Sequence, residues 1–179
     1  MNNLLKGVNL YLIGMMGVGK TTVGGLLAKQ LGYKFIDTDE VIVQAAGKSI
    51  NELFSEEGEQ GFRRLESDVL AQVCAYTKLI IATGGGIVLR QENWSYLHHG
   101  LIVWLDASVE ILIKRLAEDH TRPLLQDSDL KDKVRSLLEQ RQHLYFQADL
   151  RITITESETP EQIANRILEI IPSILKSEE

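Results

Sequence analysis

An α/β sandwich, one parallel sheet with helices on both faces, is the fold class that this 179-residue sequence predicts, and three observations carry the prediction. The run at residues 8–13 is nearly all apolar, the pattern of a central strand covered on both sides. It leads directly into the glycine loop Gly14-Met15-Met16-Gly17-Val18-Gly19-Lys20-Thr21, and a helical pattern follows. Four further short apolar runs then alternate with helical stretches to the end of the chain.

With 44% hydrophobic and 25% charged residues, the chain can bury one good core, and a single domain over residues 1–179 is expected. The loop starts at residue 14, so no secretory or transit leader is expected within this sequence, and no apolar run approaches the ~18 residues of a membrane span. A single Cys74, set in a helical apolar pattern, reads as a buried structural thiol in a reducing cytoplasm. The net charge of −6 argues against a broad nucleic-acid surface. A cytoplasmic monomer acting on small molecules is the expectation.

The loop fits G-x-x-x-x-G-K-[ST] in the context that this pattern requires, strand before and helix after. Wrapping a polyphosphate means turning several backbone N–H groups inward, where a Cβ would block the approach. Lys20 brings a mobile charge to the β and γ phosphates, Thr21 a hydroxyl for Mg²⁺, and the helix its positive dipole end. The plain alternative is a glycine-rich turn with a surface lysine.

The first helix stops at Gly32, and the next short strand, 33–36, ends in Asp37-Thr38-Asp39. Those acids read either as a strand exit with a helix cap or as carboxylates for Mg²⁺ and an acceptor hydroxyl. A helical stretch over 40–46 closes at Gly47, and Ser49-Ile50-Asn51-Glu52 is a capping box opening a short helix that Gly58 ends. The helix over about 60–76 has Phe62, Leu65, Val69, Leu70 and Val73 on one stripe. Arg63 and Arg64 on its first turns face the dipole unfavourably, so they read as solvated charge or as an anion site. Asp68 is an i+4 partner for Arg64, and Glu66 an i+3 acid that could hold Arg63 in position.

A strand over 78–83 runs into Gly84-Gly85-Gly86. Three glycines cost conformational entropy, so a close approach to this backbone is expected, by a small polar ligand rather than a side chain; a loose βα turn is the alternative. His98 and His99 end the helix over 91–99 with no partners spaced for a metal site. A strand over 101–105 leads through Asp106-Ala107-Ser108 to the helix over 109–117. Residues 118–129 have no periodicity and one proline, the character of a lid, with Arg122 at its tip. The helix over 130–147 carries Arg135, Arg141 and Tyr145-Phe146. The alternation at 150–155 suggests a strand near the sheet edge, and Thr159-Pro160-Glu161-Gln162 caps a last amphipathic helix over 163–175.

Six segments, GMMGVGKTT at 14–22, DTD at 37–39, GEQGFRRLE at 58–66, TGGG at 83–86, TRPLL at 121–125 and RQHLY at 141–145, resemble the shikimate kinases in order and spacing. The resemblance covers nearly the whole chain. It implies a three-layer α/β/α P-loop kinase with a five-stranded parallel sheet, a substrate-binding helical segment at about 37–66 and a lid at about 117–129. It further implies transfer of the ATP γ-phosphoryl group to the 3-hydroxyl of shikimate, with one Mg²⁺, on the route to chorismate and the aromatic amino acids. By matching positions, Arg63 and Arg141 take the shikimate carboxylate, Asp39 its hydroxyls, and the glycines Gly84, Gly85 and Gly86 its backbone contacts. Gly17, Val18, Gly19, Lys20, Thr21 and Thr22 form the phosphate loop proper, Thr21 and Asp37 serve the metal, and Arg122 is the lid arginine. Lys20, Asp39 and Arg122 are the implied catalytic set. Arg115 and Pro160 match positions bordering the adenine, but Ser157-Glu158-Thr159 stand where some relatives carry an arginine, so no side-chain contact to ATP is expected there. A gluconate or nucleoside monophosphate kinase of the same fold, or a non-catalytic nucleotide-binding relative, are the competing readings.

Overall fold

The computed structural model describes residues 4–118 and 129–176. Strands β1 (Leu10–Ile13), β2 (Lys34–Asp37), β3 (Leu79–Ala82), β4 (Leu101–Asp106) and β5 (Leu150–Thr153) form one sheet in the order β2-β3-β1-β4-β5, every pair parallel. The described helices are α1 (Lys20–Leu31), α2 (Thr38–Ala46), α3 (Ile50–Cys74), α4 (Gln91–Leu97), α5 (Val109–Glu118), α6 (Leu130–Tyr145) and α7 (Pro160–Lys176). None of them is long and apolar enough to cross a membrane. The predicted α/β class and five-stranded parallel sheet are therefore what the chain forms.

All four residues of β1 are fully buried, as are those of β3 and the first five of β4. Consecutive strand residues point to opposite faces, so both faces of the central strands are covered by helices. The outer strands β2 and β5 are only partly buried, which places the alternating segment at 150–155 on an edge as its pattern suggested.

The chain leaves β1 with β3 on one side and β4 on the other. In open parallel sheets that reversal opens a crevice at the carboxyl ends of the strands. Pairing of Asp37 with Ala82, of Leu12 with Ala82 and of Ile13 with Trp104 brings the ends of β1 to β4 level with one another. The glycine loop, the Asp37-Thr38-Asp39 segment and the Gly84–Gly86 turn thus emerge side by side.

Helix ends follow the local signals. Gly32 and Gly47 take left-handed conformations after α1 and α2, and both capping boxes are formed, Ser49 with Glu52 and Thr159 with Gln162. Helix α2 starts two residues earlier than its apolar pattern indicated, because the Asp37 carboxylate accepts from the N–H groups of Asp39 and Glu40. A 3-10 turn over Ile87–Leu89 follows the glycine turn, a feature the sequence did not announce. Cys74 is half-buried at the last position of α3, not a core thiol, and burial raises its pKa. The lid tip and Arg122 lie outside the described residues.

Gly58 breaks α3 as expected, with φ 69° and ψ 177° inside an otherwise continuous helix. That region is essentially closed to residues with a Cβ. A Cβ there would meet nothing within 4 Å, so Gly58→Ala isolates backbone strain. We expect it to lower unfolding free energy by about 1–3 kcal/mol in urea titrations; an unchanged or higher midpoint would contradict this conformation.

Candidate functional site

The glycine loop connects β1 to α1, and the α1 N-terminus is built without an internal anion. Gly19, with φ 103°, caps it without a side chain, and its first turn has no acid. A helix start of this kind offers its leading N–H groups and its dipole to an anion. Lys20 is buried at the mouth of the loop, its Nζ donating to the carbonyl oxygens of Gly14 at 2.5 Å and Met15 at 2.9 Å. From α5, Arg115 Nη1 donates to the Val18 carbonyl at 2.7 Å, adding a second cation at the loop's rim.

Each member of Asp37-Thr38-Asp39 has a distinct task. One oxygen of Asp37 caps α2, while the other accepts from Thr21 Oγ1 at 2.7 Å. The cap reading of this aspartate is realised, and its second oxygen is turned to the glycine loop. Thr38, fully buried, accepts the Gly84 N–H at 3.2 Å and ties the segment to the glycine turn. Asp39 turns into the space above that turn: a Cβ on Gly84 would stand 2.9 Å from its Oδ1 and 2.6 Å from Glu66 Oε2.

The same comparison corrects the expectation for the three glycines. A Cβ on Gly86 would fall 2.2 Å from Arg63 Nη1, and one on Gly85 3.3 Å from Arg141 Nη1. What approaches this backbone is the protein's own charged side chains, not a ligand alone. Two guanidinium groups and two carboxylates are packed onto a turn that only glycine leaves flat enough.

Arg63 bonds Glu66 Oε1 at 3.0 Å, the i+3 contact its spacing suggested, with Glu59 at 3.7 Å on the outer side. Its guanidinium sits over the rings of Phe62 and Phe54, at 5.4 and 5.9 Å, and these rings stack 4.5 Å apart. The Gly58 break lets Phe54, from the first half of α3, reach Phe62 in the second. Glu66 is 1% exposed. Burial raises its pKa, with Arg63 pulling in the opposite direction. Arg141, on α6, is 6% exposed.

These groups line one cleft of about 330 Å³ that runs from the glycine loop to the glycine turn. Gly17, Gly19, Lys20, Thr21, Asp37, Asp39, Arg63, Gly84, Gly85, Gly86 and Arg141 all border it. Val18 is buried beneath the loop and contributes its carbonyl. Thr22 lies exposed on α1 and Pro160 half-buried at the start of α7, neither of them on this cleft. Near Pro160, Glu158 is occupied by Arg166 at 3.0 Å and by the N–H of Thr155 at 3.0 Å, and Glu156 pairs with Lys114. The acidic residues in that loop are therefore spent on internal contacts. Thr38, Phe54 and the depth of Glu66 were not evident from sequence. A serine or threonine between two aspartates and a phenylalanine eight residues before another were the only traces.

The family model described as shikimate kinase matches residues 16–172. A shikimate kinase of Nostoc punctiforme is 74% identical over 176 residues, covering 98% of this chain and 97% of that protein. One from Trichormus variabilis is likewise 74% identical, with the same coverage. Among solved structures, the shikimate kinase from Acinetobacter baumannii in complex with shikimate superposes with a TM-score of 0.89 at 39% identity, over 95% of this chain and 96% of that one.

Glu66 makes the stability of this site depend on pH. Its folded pKa is raised, so its contribution is fully present below the ordinary carboxylate range and is lost as pH climbs through the raised value. Glu66→Gln removes that titration. Urea midpoints of both proteins between about pH 4 and pH 8 should show the variant gaining on the wild type as pH rises; a constant difference, or the opposite slope, would overturn the assignment.

Proposed function

This chain belongs to the shikimate kinase family, and from that premise we propose that it moves the γ-phosphoryl group of ATP onto the 3-hydroxyl of shikimate, releasing ADP and shikimate 3-phosphate. The observation that carries the proposal is the continuity of the cleft: Lys20 and Thr21 border its phosphate end, Arg63 and Arg141 its other end. A small ring acid with several hydroxyls matches that second end. Its carboxylate suits the planar fork of an arginine better than a lysine point charge.

At the nucleotide end, the backbone of residues 17–22 cradles the phosphates and Lys20 follows the γ group. Arg115 and Pro160 border the adenine, and Arg122 closes over the phosphates from the lid. Thr21 Oγ1 and Asp37 Oδ2, 2.7 Å apart, are the hard oxygen pair that fits Mg²⁺. Among the described residues no three or more His, Cys, Asp or Glu side chains are grouped to hold a metal ion, so phosphate oxygens and water would complete the shell, as Mg²⁺ prefers. When bound, the ion offsets charge on the phosphates. The protein's own part is alignment: Arg63 and Arg141 fix the acid, Asp39 orients the attacking hydroxyl and is the acceptor at hand for its proton, and the fold keeps both ends in line. We read residues 1–179 as one kinase domain, working as a cytoplasmic monomer.

ADP release in the presence of Mg²⁺ and ATP, measured with shikimate, gluconate and nucleoside monophosphates, tests the reading. Turnover confined to shikimate is expected. ATP binding without turnover of any of them would make the chain a nucleotide-binding module. In the same assay Arg141→Ala should raise the shikimate KM on the order of a hundredfold, the loss of a charge-assisted bidentate contact, and leave the KM for ATP unchanged. A parallel loss of ATP affinity would reject the role given to Arg141.

A further inference from the structure

Helix α6 delivers two side chains, one turn apart, to a single glycine. Arg141 lies against Gly85, and Tyr145 donates its hydroxyl to the Gly85 carbonyl at 2.7 Å. Tyr145 is 0% exposed, and its ring stacks on Trp104 of β4, with centroids 5.7 Å apart and planes at 22°. The phenol is thus held between helix and sheet. Burial pushes its pKa up to about 12, so it remains a donor throughout the neutral range.

The rest of the turn is tied by the Thr38 hydroxyl and by backbone groups. The Gly84 N–H goes to Thr38, the Gly84 carbonyl accepts from Ile87, and the Gly86 carbonyl accepts from Leu89. The Gly85–Gly86 peptide joins two residues without side chains and has little steric bias of its own. A trans peptide keeps its C=O and N–H antiparallel. With the carbonyl held by Tyr145, the Gly86 N–H points away from the phenol, and Gly86 borders the cleft beside Arg63.

We propose that Tyr145 is a positioning residue for the acceptor: its hydroxyl fixes the Gly85–Gly86 peptide, and with it the seats of Arg141 and Arg63, before the acceptor arrives. The inference rests on the shikimate-phosphorylating reading of this cleft. Tyr145→Phe keeps the ring and its stack and leaves the carbonyl without its donor. Steady-state kinetics and calorimetry with shikimate should show KM and Kd for the acid rising about tenfold, the size of one lost hydrogen bond, with the KM for ATP unmoved. Trp104→Phe, which weakens the stack but keeps the hydroxyl, should lower the melting temperature without changing the shikimate KM. It decides the matter even where the tyrosine variant folds poorly, since a shikimate KM that rises with loss of packing alone overturns the proposal. An unchanged shikimate KM in a folded Tyr145→Phe protein overturns it as well. Wild-type enzyme in the same experiment separates the two levels, because absence of any shikimate turnover there refutes the function and not the role of the tyrosine.

Discussion

A buried carboxyl group paired with a half-buried guanidinium at the end of a parallel sheet sets the terms for the rest of this site. Glu66 is almost wholly removed from water, and burial raises its pKa against the pull of Arg63. Such a pair contributes little to stability on its own, since the cost of taking both charges out of water rivals what they gain from each other. It is retained where a charge must be held in a fixed attitude. Everything around it serves that attitude: the stacked Phe54 and Phe62 form a shelf beneath the guanidinium, the break at Gly58 brings Phe54 to that shelf, and Gly86 leaves the space that a methyl group would fill.

The two ends of the cleft are coupled through three consecutive residues. Asp37 touches the glycine loop through Thr21, Thr38 grips the glycine turn through Gly84, and Asp39 faces the space above that turn. They sit where β2 gives way to α2, so a rigid strand fixes their origin and the helix cap fixes their direction. A phosphoryl transfer that relies on alignment requires donor and acceptor to share one frame, and misplacement by an ångström is costly. Here that frame is a single strand end.

Much of this was legible in the sequence because the signals are local. The apolar run before the glycine loop, the two capping boxes and the glycines at 32, 47 and 58 each act within a few residues, and all appear where their chemistry put them. Arg63 with Glu66 was readable for the same reason. Contacts between distant elements were not: Thr38 meets Gly84 across 46 positions and Tyr145 meets Gly85 across 60. The periodicity of α6 marks Tyr145 as a residue on a buried face, and nothing in the pattern says that its hydroxyl ends on a glycine carbonyl. The glycine turn is the instructive intermediate case. Three consecutive glycines signal a close approach to the backbone, and the same signal is given by a ligand and by the guanidinium groups that fill the space.

Three cations in or beside the cleft are held by acceptors of the protein's own. Lys20 is held by the carbonyls of Gly14 and Met15, Arg63 by Glu66 and Glu59, and Arg115 by the carbonyl of Val18. Each therefore carries an internal acceptor and is not left as a bare buried charge, which would be costly. On the proposed reading, an incoming phosphate or carboxylate exchanges partners with a group already partly withdrawn from water and already oriented, which reduces both the desolvation and the ordering that binding must overcome. The neutral acceptors at Lys20 and Arg115 yield more easily to a charged ligand than a carboxylate would. On the proposed reading the loop end is arranged for exchange, while the Arg63–Glu66 pair, with its carboxylate partner, is arranged to stay intact.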